Sequence, residues 1–116
     1  MVPPRSPMIR RLHLALGVHD IAAAVDDYCR RLGCPPEVHV IGEYALWRTP
    51  ALNLSIRRCE PELAGRLRHL GWEDPAAESF SQDVDANGIV WERFSAEQQR
   101  QEIRELWPEA LPDQEG

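Results

Sequence analysis

The chain contains no lysine; all 13 of its basic residues are arginine. That absence excludes a Schiff base on an ε-amine and a phosphate loop of the lysine-bearing kind. Cysteine is scarce. Cys29, Cys34 and Cys59 are odd in number and none has CxxC spacing, which reads as reduced thiols in a cytoplasmic protein. No apolar run approaches the length of a membrane span, and the first residues, MVPPRSPMIRR, lack the apolar stretch of a signal peptide. Positive charge is in deficit. The formal net charge is −6, which argues against a nucleic-acid partner. At 116 residues the chain has room for a single modest core. The expected organisation is a flexible leader over 1–8, one domain over 9–107 and a flexible acidic tail over 108–116.

What is present is a strand running into a helix. Leu12, Leu14, Leu16 and Val18 alternate with His13, Ala15 and Gly17, so one face is aliphatic and the other small with a single polar group. The aliphatic face belongs under a helix; the other suits the lining of a cavity. Asp20 is a good N-cap for that helix, Ile21, Val25, Tyr28 and Leu32 form its buried stripe, and Gly33 permits a left-handed C-cap. Residues 37–58 read as two or three strands. Leu52, Leu54 and Ile56 share an aliphatic face; Asn53, Ser55 and Arg57 point the opposite way.

A looser copy runs from His69 to Gly88. His69, Gly71 and Glu73 share one strand face. Asp74–Pro75 reads as an N-cap followed by proline at the first helical position, with Ala77, Phe80 and Val84 as a short apolar stripe. Residues 89–94 form another strand. Ser95 with Gln98 resembles a capping box, opening a polar helix that runs to about Trp107.

A strand with an early histidine, an aspartate seven residues later, then an aromatic residue and a helix closing on Leu-Gly occur here as His13, Asp20, Tyr28 and Leu32–Gly33. This pattern resembles the vicinal oxygen chelate superfamily, which includes glyoxalase I, bleomycin-resistance proteins, fosfomycin-resistance enzymes and extradiol dioxygenases. The resemblance implies an α+β fold of paired βαβββ modules whose curved mixed sheet forms a cup, here with a shortened second module followed by a C-terminal helix. It also implies a divalent metal that binds two adjacent oxygens of a small molecule. His13 and His69 fall at the two strand-start ligand positions, and Glu73, Glu92 or a residue of a dimer mate is the candidate to complete the set. At the end of the first module Asn53, Ser55 and Arg57 are poor transition-metal ligands.

The expected function is therefore a glyoxalase-like cup that binds a small molecule with an incomplete metal site and no cofactor. One alternative is a metal-dependent lyase, isomerase or dioxygenase; another is a degenerate interaction scaffold. The expected pocket lining is His13, Ala15, Gly17, Trp47, Asn53, Ser55, Arg57, His69 and Glu73. Arg57 and Arg48 are candidate clamps for an anion, Arg48 more simply a partner for one of the many acids. The shortened module leaves a sheet edge for the C-terminal helix or a homodimer mate to cover. The rival architecture is a ferredoxin-like βαββαβ sandwich, with a flat sheet and both helices on one face.

Overall fold

A computed structural model describes residues 9–111. The elements in order are β1 (Arg11–Val18), α1 (Ile21–Leu32), β2 (Val38–Val40), β3 (Tyr44–Arg48), β4 (Leu52–Arg58), β5 (Leu67–Glu73), β6 (Ser81–Val84), β7 (Val90–Phe94) and α2 (Ala96–Leu106), with a single 3-10 turn at Pro61–Leu63. The strands form one α+β mixed sheet in the order β2-β3-β4-β1-β5-β7-β6. β1 runs parallel to β4, β5 runs parallel to β7, and β1 meets β5 antiparallel at the centre. Each half thus pairs its first strand with its last, the wiring of a βαβββ-like module and a shorter companion.

The first half forms as its sequence pattern dictates. Asp20 accepts a bond from the Ala23 amide at 3.0 Å, and Gly33 closes α1 in the left-handed region (φ 79°). α1 lays Ile21 and Val25 on the face built by Val18, Ala45, Trp47, Leu54 and Ile56. The opposite face of the sheet carries α2. Ser95 and Gln98 complete a reciprocal capping box, and Ile103 packs on Val38, Tyr44 and Leu46. The helices therefore lie on opposite faces of a seven-stranded sheet, which eliminates the ferredoxin-like rival. α2 covers a face rather than an edge, so among the described residues nothing pairs with the outer edges of β2 and β6. Ala110 and Leu111, which belong to the expected tail, continue onto the Ile103 patch. The leader over 1–8 and residues 112–116 lie outside the described residues.

The second half departs from the reading at one point. No helix follows Asp74–Pro75. Asp74 Oδ1 accepts from the Ala76 amide at 2.9 Å and its carbonyl from the Ala77 amide at 3.0 Å, so one turn forms and stops. The chain then enters the β6–β7 hairpin. Its turn is held by Asp85, whose side chain accepts from the amides of Asn87 and Ile89 and from the Trp91 indole. Gly88 (φ 81°) closes this hairpin turn instead of a helix. Of the supposed helical stripe only Ala77 is buried; Phe80 is 49% and Val84 63% exposed. Three apolar residues at helical spacing could not hold a helix with so little surface to bury.

Candidate metal centre

Parallel register places Asn53 of β4 beside His13 of β1, and antiparallel register places His69 of β5 beside Ala15. Glu92 of β7 pairs with Gly71, which pairs with His13. Strand alternation turns all four side chains to the α2 face. His13 Nε2 lies 3.0 Å from His69 Nε2, and His69 Nε2 lies 3.1 Å from Glu92 Oε1. One donor atom from each of the three residues falls within a 4.8 Å group. This group could hold a metal ion.

Several side chains fix the donors. His13 is 3% exposed, and its Nδ1 faces two acceptors, Asn53 Oδ1 at 2.8 Å and the Asn53 carbonyl at 3.2 Å. Nδ1 therefore carries the proton and Nε2 presents a lone pair. The Asn53 amide is oriented in turn. Its Nδ2 donates to Glu73 Oε1 and to Gln99 Oε1, both at 2.8 Å. The Phe94 and His13 rings meet nearly perpendicular, with centroids 4.9 Å apart. Burial lowers the His13 pKa, outweighing the Asn53 bond that opposes it, so the imidazole is held neutral. A neutral imidazole with its far nitrogen bonded to a fixed acceptor is the form that ligates metals.

Glu73 stands apart from this group. It is 2% exposed and accepts from Arg11 at 2.9 Å, from Arg48 at 2.7 and 2.8 Å and from Asn53. Burial alone would raise its pKa. The Arg48 and Asn53 bonds and the charges of Arg48 and Arg11 overcome burial and hold it below the usual range. Arg48 is accordingly a structural partner of Glu73 and Glu37, not an anion clamp.

The donors open into a cavity of about 400 Å³ between the sheet and α2. That volume suits a small organic molecule, for which sites run from about 300 to 1,000 Å³. His13, Ser55, Arg57 and His69 line it, as does Glu92. The remaining expected residues sit elsewhere. Asn53 is fully buried beneath His13, Ala15 is buried, and Gly17 packs against Cys59 at the sheet's end. Trp47 is a correction. Its register opposite Leu54 puts it on the aliphatic face, where it is 0% exposed under α1 and donates to the Cys34 carbonyl. The cavity face of β3 is the other one, and its aromatic residue is Tyr44, stacked on Trp107 of the α2 end at 4.9 Å.

The chain matches no protein-family model and no curated protein.

The site's arrangement therefore stands on its own geometry. Gln99, Arg68 and Phe94 belong to it without having been anticipated. Gln99 carried a signal: Gln99, Ile103 and Leu106 fall at helical spacing, so a polar residue interrupts the docking stripe of α2. Among the described residues, no helix is long and apolar enough to cross a membrane.

Proposed function

We propose that the chain binds a divalent metal at His13, His69 and Glu92 and holds a small oxygen-bearing ligand beside it, as the vicinal oxygen chelate resemblance implies. One observation carries the reading: two imidazole nitrogens and a carboxylate oxygen from three strands converge within 4.8 Å on a cavity wall. The donor set fits such an ion. Two histidines and one carboxylate suit Zn²⁺, Fe²⁺ or Mn²⁺ and leave positions open for a ligand, unlike a closed structural site. His69 Nε2 stands 3.0 Å from His13 Nε2 and 3.1 Å from Glu92 Oε1, so these residues are the ones that would hold the ion. Bound there, the ion would supply Lewis-acid stabilisation of a ligand oxyanion or, as iron, activation of dioxygen.

The chain's own residues prepare the site. Asn53 aims the His13 lone pair into the cavity, and Gln99 and Glu73 keep Asn53 from flipping. α2 and Trp107 form the cavity wall opposite the sheet. Equilibrium dialysis of tag-free protein against Zn²⁺, Mn²⁺ and Co²⁺ tests the reading. One ion per chain is expected, lost in His69→Ala and Glu92→Ala; uptake unchanged in both variants would refute it.

A metal-free ligand cup is the second reading. It is favoured by the 3.0 Å Nε2–Nε2 contact, which is also a hydrogen-bond length. It predicts no stoichiometric ion, and thermal stabilisation by ligands alone. A homodimer forms part of the proposal in either case, because among the described residues both sheet edges, β2 and β6, are unpaired. Sedimentation equilibrium measures it.

A further inference from the structure

We infer that Arg57 and Arg68 form an anion-binding pair on the cavity wall beyond His69. The ligand would then be a small organic acid, with its carboxylate or related oxyanion toward the two guanidiniums and its other end toward the donors. This deepens the metal reading and rests on it.

Arg57 and Arg68 both line the cavity, one from β4 and one from β5. β1 lies between them, so their backbones stand two strand spacings apart, about 10 Å. Two long side chains can close on one anion across that gap. Arg57 pairs with Gly17, which adds no side chain between them.

Arg68 reaches the cavity through an irregularity in the sheet. His69 pairs with Ala15, but Leu67 pairs with Leu16, so Arg68 is the extra residue of a bulge on β5. A bulge re-aims a side chain that strict alternation would send to the other face. Arg68 thereby joins the face of its neighbour His69.

Neither guanidinium has a carboxylate within 4.0 Å among the described residues. Arg11, Arg30, Arg31, Arg48, Arg58, Arg93 and Arg100 all do; Arg10, Arg66 and Arg104 also lack one but do not line the cavity. Glu102 and Glu105 line the same cavity without engaging either arginine. Arg57 instead rests over the Trp107 ring, 5.4 Å from its centroid. That contact engages no carboxylate, so the guanidinium keeps its charge and N–H donors for an oxyanion, which it can bind bidentately. The lining has two arginines against the three carboxylates of Glu92, Glu102 and Glu105. A divalent ion reverses that balance, so the anion should be taken up only by metal-loaded protein.

The spacing sets the ligand's length. Arg57 lies four residues along β4 from Asn53, the partner of His13, about 13 Å of strand, and two from Ser55, level with His69 through Ala15, about 7 Å. A single ring with oxygens at one end and an acid at the other spans such a gap.

Isothermal titration of zinc-loaded protein with catechol and with 3,4-dihydroxybenzoate tests the pair, metal uptake being measured first. The acid is expected to bind at least tenfold more tightly. The double variant Arg57→Gln, Arg68→Gln should take up metal and bind catechol as the wild type does, but lose the preference. Equal affinities in the wild type, a preference that survives the double substitution, or no binding of either compound would overturn the inference while metal uptake leaves the metal centre standing. A wild-type chain that takes up no metal overturns both.

Discussion

Replacing Gly71 with alanine adds one methyl group and removes nothing, so its effect isolates the geometry on which the centre depends. A Cβ at this position would fall 2.2 Å from the Glu92 carbonyl oxygen and 2.9 Å from both the Glu92 carbonyl carbon and its amide nitrogen. These are backbone atoms of the neighbouring strand, and they cannot rotate aside. β7 must therefore move away from β5 by about an ångström to restore ordinary contact at about 3.5 Å. Overpacking of this kind costs typically about 1–3 kcal/mol, and about 2 kcal/mol lowers the melting temperature of a domain this size by roughly 6–10 °C. The same movement carries Glu92 away from His69, now 3.1 Å distant. Metal affinity should fall at least tenfold, as it does when the support of a ligand is disturbed. Thermal unfolding followed by circular dichroism, with zinc competition against a chromophoric chelator, measures both quantities. A variant with wild-type melting and wild-type affinity would refute the argument, because the strand spacing would then not constrain Glu92.

Three further outcomes follow from the buried network. Glu73→Gln should cost about 2–3 kcal/mol at neutral pH, less than a fully buried pair because Arg11 and Arg48 are partly solvated. Because the folded-state pKa is depressed, Glu73's contribution is complete above its ordinary value of 4.5 and vanishes as pH falls through the lower folded value; urea titrations from pH 7 downward should show the two proteins converging only below that value. Asn53→Ala removes the side-chain acceptor for His13 Nδ1 and should weaken metal binding about 10- to 100-fold with the fold retained, read by chelator competition; unchanged affinity would mean that the Asn53 carbonyl alone orients the ring. Trp107→Ala loses the stack on Tyr44 and should destabilise the protein by about 2 kcal/mol, with faster amide exchange confined to α2; uniform acceleration across the sheet would show that α2 is not a separate docking unit.

Local chemistry wrote the first half of the protein into its sequence. Alternation separated His13, Ala15 and Gly17 from their aliphatic neighbours, and Asp20 and Gly33 marked both ends of α1, because caps and pleats depend on residues a few positions apart. The same logic identified β4's polar face and α2's capping box. It misjudged residues 74–88, where Asp74–Pro75 and three apolar residues at helical spacing imitated a helix. The competing signal was Asn87–Gly88, a hairpin pair, and the β-sheet gave that segment a partner strand that a lone helix lacked. Trp47 was misplaced for a different reason. Alternation says that Trp47 and Tyr44 face opposite ways, but not which face meets the cavity; the pairing of Trp47 with Leu54 decides it.

The donors themselves, His13, His69 and Glu92, were visible as residue types at strand positions. Their convergence was not, since it requires β5 to fall beside β1 and β7 beside β5, contacts between residues 56 and 23 positions apart. The bulge that turns Arg68 inward and the seating of α2 on the cup, with Gln99 against Asn53, arise in the same way. Sequence fixed each strand's two faces because pleating is a property of neighbouring residues. Only the folded sheet chose which strands lie side by side, because register is set by the packing of the whole core.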